Sequence, residues 1–168
     1  MALREIVTLP NPVLRRKART VSKFNEALQV LIDDMVETMR QAPGVGLAAP
    51  QVGVSQRVIV VEYPENDQDE ESPKKLYAMV NPEIVKPSQE TIAGIEGCLS
   101  VPGLVGEVQR AVEITVKGLN RHGQPMRVKV KEWMARIFQH EIDHLNGVVF
   151  TDRATKVWQP QEPYEDNV

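Results

Sequence analysis

The stretch KEWMARIFQHEIDHLNG, Lys131–Gly147, decides how this chain folds and where its chemistry lies. Trp133, Met134, Ile137, Phe138 and Leu145 recur at helical spacing, and Gly147 stands where a C-terminal glycine cap belongs. On such a helix His140 and His144 lie one turn apart on the same face, so both imidazoles reach a single ion at roughly 2.0 to 2.1 Å. Glu141, offset by one residue, sits beside the pair without having to ligate, which is what a general base needs. The pattern H-E-x-x-H has three defined positions and also arises with purely structural histidines. Here Ile137 shares the histidine face while Phe138 and Leu145 flank it, so two buried imidazoles need partners and one metal serves both.

Two ligands are too few for a tight site, since a catalytic ion usually keeps three protein ligands. The remaining histidine, His122, falls in NRHG beside Gly123, a turn where exposure is expected. Cys98 is the stronger third candidate. It stands in GIEGCLSVPG, Gly94–Gly103, whose glycines let the backbone approach another element closely. A lone cysteine also reads as a small buried hydrophobe, or as a nucleophile with a histidine base, but neither accounts for the histidine spacing. A third stretch, GVGLAAPQVG at Gly44–Gly53, has almost no side-chain bulk. Its main chain could bond an extended ligand, with Gln51 adding an amide donor; the alternative is a tight turn into the next strand.

The 168 residues suit a single domain. Twenty basic against 23 acidic residues, net −3, give no general electrostatic reason to expect nucleic acid or an anionic membrane as partner. The opening ALREIVTLPNP lacks an apolar signal region and no later stretch reaches transmembrane length, so the cytoplasm is expected. One cysteine excludes an intrachain disulfide. Phe24, Leu28, Leu31, Ile32, Met35 and Met39 predict an amphipathic helix from about Asn25 to Gln41, stopped by Pro43 and Gly44. Strands are predicted at Arg57–Tyr63, Leu76–Val85, Ala111–Leu119 and Gln124–Val130, mostly antiparallel, the last two joined as a hairpin through NRHG. Residues 64–75 read as a charged loop, and Arg15, Arg16, Lys17 and Arg19 as a solvated helical turn. The end of the chain, from about residue 155 through QPQEPYEDNV, is expected on the surface or disordered.

GVGLAAPQ, EGCLS and QHEIDHLNG, in that order, resemble the three signature motifs of the peptide deformylase family. The similarity continues through NPEIV, VPGLVGEVQR and ARIFQHEIDHLNGVVF and covers most of residues 5–152. It implies one α+β domain over residues 1–168, with antiparallel sheets surrounding a central helix. It also implies a hydrolase that removes the formyl group from N-formylmethionine at the start of nascent bacterial or organellar proteins. By position, Cys98, His140 and His144 would hold the metal, Glu141 would act as general base and acid, and Gln51 with the Leu99 amide would stabilise the oxyanion. Main chain near Gly46 would pair with the substrate, and Val45, Trp133 and Ile137 would line the methionine pocket. Ferrous iron is the implied metal, with zinc, nickel or cobalt able to replace it; its task would be to generate hydroxide for attack on the formyl carbon.

The implied partners are N-formylmethionyl nascent peptides and the ribosome near its exit tunnel. Some family members dock there through a long basic C-terminal helix, whereas this chain ends in acidic QPQEPYEDNV, which departs from that docking mode; the basic run near Arg16 could substitute, against its reading as a solvated turn. Two other readings stand beside this one: a metallopeptidase of ordinary peptide bonds, and a noncatalytic protein with a structural metal, which would normally need four protein ligands.

Overall fold

Asn25 starts the first helix by accepting a hydrogen bond from the Leu28 N–H at 3.1 Å, which fills the N-cap of α1, Glu26–Gln41. The computed structural model describes residues 2–66, 68–69 and 71–161. In it Leu28, Leu31, Ile32, Met35, Val36 and Met39 form the buried face of α1.

Two antiparallel sheets follow. The first has the order β1 (Gly46–Ala48), β2 (Val58–Pro64), β3 (Lys74–Val85), β6 (Glu113–Leu119), β7 (Pro125–Lys131), and the second β4 (Thr91–Cys98), β5 (Val101–Ala111), β8 (Lys156–Trp158). The second long helix, α2, runs over Glu132–Leu145, and a single turn, α3, over Phe150–Arg153. β2 explains the layering. Val58 and Val60 pack into the cluster with α1, while Ile59 and Val61 pack into the cluster with Ile137, Phe138 and Leu145 of α2. A strand buried on both faces reads as a continuous apolar run, and that is what VIVV is. Every residue from Met134 to Leu145 is buried, with Phe138 edge-on to Tyr77 at a ring separation of 5.4 Å.

Two expectations change. β4 and β5 were not predicted, because glycines at 94, 97, 103 and 106 and Pro102 interrupt the pattern that marks a strand. Ala111 ends β5, and the following strand starts at Glu113. Just beyond residue 155 the chain lies at the surface as a short strand: Lys156–Trp158 pairs with Val105–Glu107 as β8, its side chains exposed and its backbone bonded. The remainder of that tail, 162–168, and residues 67 and 70 of the charged loop lie outside the described residues. Among the described residues no helix is long and apolar enough to cross a membrane.

Candidate metal centre

Cys98 and the two histidines arrive from different elements. Cys98 closes β4, where the register against β5 shifts between Gly97 and Cys98. His140 and His144 stand one turn apart on α2, their ring centroids 5.0 Å from each other. All three are buried, and one ligating atom from each lies within 4.8 Å of the others. Cys98 Sγ is 3.4 Å from His144 Nε2. Glu96 takes the far side of His140, with Nδ1 and Oε1 2.8 Å apart. That contact orients the ring and leaves His140 Nε2 buried and without a hydrogen-bond partner among the described residues. A thiol, a bare imidazole nitrogen and a second imidazole facing one spot match a soft-to-borderline divalent cation, so the donor set fits a metal ion without selecting which one.

The local electrostatics favour one positive charge here. Burial pushes His140 down, but the nearby Cys98 and the Glu96 carboxylate on Nδ1 outweigh it and raise the group to about 10. His144 is held well below the ordinary value by burial first, then by the charge on His140. The two rings therefore do not protonate together, and a bound cation would take the place of the single proton. Burial raises Glu141 to about 7 among the protein's own groups; a neighbouring cation would draw it back down.

Glu141 is fully buried, and neither carboxylate oxygen has a hydrogen-bond partner among the described residues. Gln51, also fully buried, is braced rather than loose: its Oε1 accepts from the Ala48 N–H at 3.0 Å and its Nε2 donates to Ser100 Oγ at 3.1 Å. The same nitrogen lies 3.7 Å from Cys98 Sγ. Leu99 forms the turn after Cys98, and a Cβ placed on Gly44 would meet Leu99 Cδ1 at 3.1 Å, so the two glycine-containing stretches lie in contact.

GVGLAAPQVG is neither all turn nor all strand: Gly46–Ala48 is an edge strand and Ala49–Val52 a helical turn. Val45 O accepts from the Glu62 N–H at 2.9 Å, so by the alternation of an antiparallel ladder the Gly46 N–H and C=O point away from β2. Val45 and Trp133 are half-buried and pack on the same cluster as the fully buried Ile137. His122 is exposed in its hairpin turn.

The residues that sequence reasoning missed surround Glu96. Its carboxylate takes Arg110 Nε and Nη2, both at 2.9 Å, Arg136 Nη1 at 2.6 Å, and His140. Four contacts saturate it and hold it ionised, well below the usual carboxylate range despite burial. Arg110 also reaches Asp143 Oδ2 at 2.7 Å, and Asp143 in turn receives Arg153. One signal was visible: Arg136 precedes His140 by one helical turn, a charge on the face that should otherwise be apolar.

The polypeptide deformylase family matches the chain over residues 3–159. A peptide deformylase of Symbiobacterium thermophilum is 48% identical over 166 residues, covering 99% of this chain and 73% of that one. One from Natranaerobius thermophilus is 45% identical over 164 residues, covering 98% and 100%. Among solved structures, the peptide deformylase of Thermotoga maritima superposes with a TM-score of 0.84 at 41% identity, covering 93% of this chain and 100% of its own. That of Legionella pneumophila gives 0.82 at 45% identity, covering 92% and 87%. Agreement of this extent in sequence and fold, together with the geometry around Cys98, places the chain in the polypeptide deformylase family.

Proposed function

We propose that this deformylase holds one divalent cation, ferrous iron, on Cys98, His140 and His144, and uses Glu141 to move protons as it removes the formyl group from nascent proteins. The observation that carries the reading is the convergence of those three buried donors within 4.8 Å. The ion, when bound, supplies the Lewis acidity that brings the pKa of a water from 15.7 to about 7. Glu141 takes the proton of the attacking water and delivers it to the departing amine nitrogen; the formyl C–N bond breaks, giving formate and a free N-terminus. Gln51 has two N–H bonds to offer, one engaged by Ser100 and the other only leaning on Cys98. The second, with the Leu99 N–H, would donate to the oxyanion, where one such donor contributes roughly 2.7 to 4 kcal/mol. The outward N–H and C=O of Gly46 would pair with the substrate main chain as an added strand, and Val45, Trp133 and Ile137 would receive the methionine side chain.

Formyl-Met-Ala, acetyl-Met-Ala and an unblocked internal peptide, assayed on anaerobically purified protein with its metal quantified, test this reading. Turnover of the formyl peptide alone, with iron near one per chain, is expected. Cleavage of the internal peptide alone would make the protein a general metallopeptidase, and stoichiometric metal without turnover would make the site structural. The ribosome and the cytoplasm complete the proposal, since nascent chains emerge there. Arg16, Lys17 and Arg19 are exposed, and salt-sensitive co-sedimentation with ribosomes, lost when the three are neutralised, checks the docking.

A further inference from the structure

Arg136, His140 and His144 follow one another at one-turn intervals on α2, so the guanidinium lies on the helix face that carries both histidines. It is 3% exposed. Its Nη1 donates to Glu96 Oε2 at 2.6 Å and to the Val108 carbonyl at 2.9 Å, and its Nη2 donates to the Ile92 carbonyl at 2.8 Å. One side chain thus bonds the main chain of β4, the main chain of β5 and the carboxylate that orients His140. Trp133, one turn earlier, closes over the group, its ring centre 5.5 Å from the guanidinium carbon.

The opposite side is shaped to match. A Cβ on Gly94 would stand 2.7 Å from Cζ and 2.8 Å from Nε and Nη2 of Arg136, so the guanidinium fills the space a side chain on β4 would need. The backbone at Gly94 does not enter the left-handed region, so close approach, not turn geometry, is what calls for glycine at this position.

We propose that Arg136 is a positioning residue: it clamps the helix bearing His140 and His144 onto the strands bearing Cys98 and Glu96, and so sets the spacing of the three donors. This rests on Cys98, His140 and His144 being the ligands. Arg110 also binds Glu96, but it does so from β5 and reaches α2 only through Asp143. Arg136 alone of the two joins helix, both strands and carboxylate at one point, with a planar fork that lysine cannot imitate.

The test uses wild type, Arg136→Met, Arg136→Lys and Gly94→Ala, each stripped with a chelator and reloaded with Co²⁺. Three quantities are read: Co²⁺ affinity by chelator competition, the visible cobalt spectrum, and melting temperature. Wild type should display a sulfur-to-cobalt band. Arg136→Met should bind Co²⁺ about 10- to 100-fold more weakly, the range typical of groups that hold a metal ligand in place, with shifted d–d bands. Arg136→Lys should recover part of the stability through its ion pair with Glu96 while its spectrum stays shifted. Gly94→Ala, which keeps the arginine but evicts it, should reproduce the spectral shift, and it carries the test if Arg136→Met does not fold.

A wild-type affinity and spectrum in the folded variants, with only the melting temperature lowered, would reduce Arg136 to a structural ion pair and overturn the proposal. Full restoration of the spectrum by lysine would likewise overturn the clamp. Absence of the sulfur-to-cobalt band in wild type is a different failure: it removes Cys98 from the ligand set, and the clamp falls with it.

Discussion

A Cβ added to Gly46 would stand 2.5 Å from Glu141 Oε2 and 2.9 Å from its carboxyl carbon. The edge strand and the carboxylate are therefore packed so closely that only glycine leaves Glu141 in place. Gly46→Ala should still bind one metal ion while losing turnover by about 10²-fold, the lower end of what a displaced general base costs. Metal stoichiometry and deformylation rate on the same preparation check this, and undiminished turnover would mean that the carboxylate need not occupy its present position.

Glu141→Gln separates catalyst from ligand. The carboxylate is buried with both oxygens unpartnered among the described residues, so a neutral amide of equal size should not lower stability. Metal should bind normally and turnover should fall by roughly 10² to 10⁴. Normal turnover per metal ion would remove Glu141 from the proton path.

His140→Ala and His144→Ala should each lose metal and activity together. Because the ion binds the folded form, the melting temperature should fall below that of the loaded wild type and stop responding to added metal. Retention of one metal per chain in either variant argues against that residue as a ligand.

Glu96→Ala would strand Arg110 and Arg136, both nearly without solvent contact, around a missing carboxylate. Removing one member of such a buried ion network is expected to destabilise by about 3 to 5 kcal/mol. Urea unfolding of the metal-free proteins measures it without interference from ion binding. A change below about 1 kcal/mol would mean that water or a rearranged side chain satisfies the arginines.

Asp34 predicts part of the acid sensitivity. The Ala2 N–H, bonded to Oδ1 at 2.8 Å, and then Arg4 hold it below the ordinary value of 3.8, against the opposing effect of burial. A depressed folded value means that the contribution is fully present above 3.8 and is lost as pH falls through the folded value. Asp34→Asn should thus be less stable than wild type at neutral pH, by a margin that shrinks below pH 3.8. A margin independent of pH would show that Asp34 acts through packing and not through charge.

The elements legible in the sequence are those whose causes are local. α1 declares itself through Asn25 and the spacing from Leu28 to Met39, and α2 through the recurrence from Trp133 to Leu145. VIVV in β2 announces a strand buried on both faces, and NRHG a hairpin. The histidine pair needs only the pitch of a helix to be recognised as two donors on one face, and Cys98 could be chosen by chemistry because the chain offers no other thiol.

The tertiary structure decided whatever depends on residues distant in the chain. β4 and β5 look broken by glycine and proline, yet they pair, because Gly94 makes room for Arg136 and Gly106 for Ala154 and Phe150. Glu96 lies two residues from Cys98 and drew no attention, since its partners Arg110, Arg136 and His140 stand 14, 40 and 44 positions away. Gly46 was read only for its main chain, and its close approach to Glu141 shows only in the fold. Periodicity and spacing report a residue's neighbours along its own helix or strand. Burying a charge or bringing backbone against a carboxylate becomes favourable only when separate elements supply the partners, and that is settled by packing.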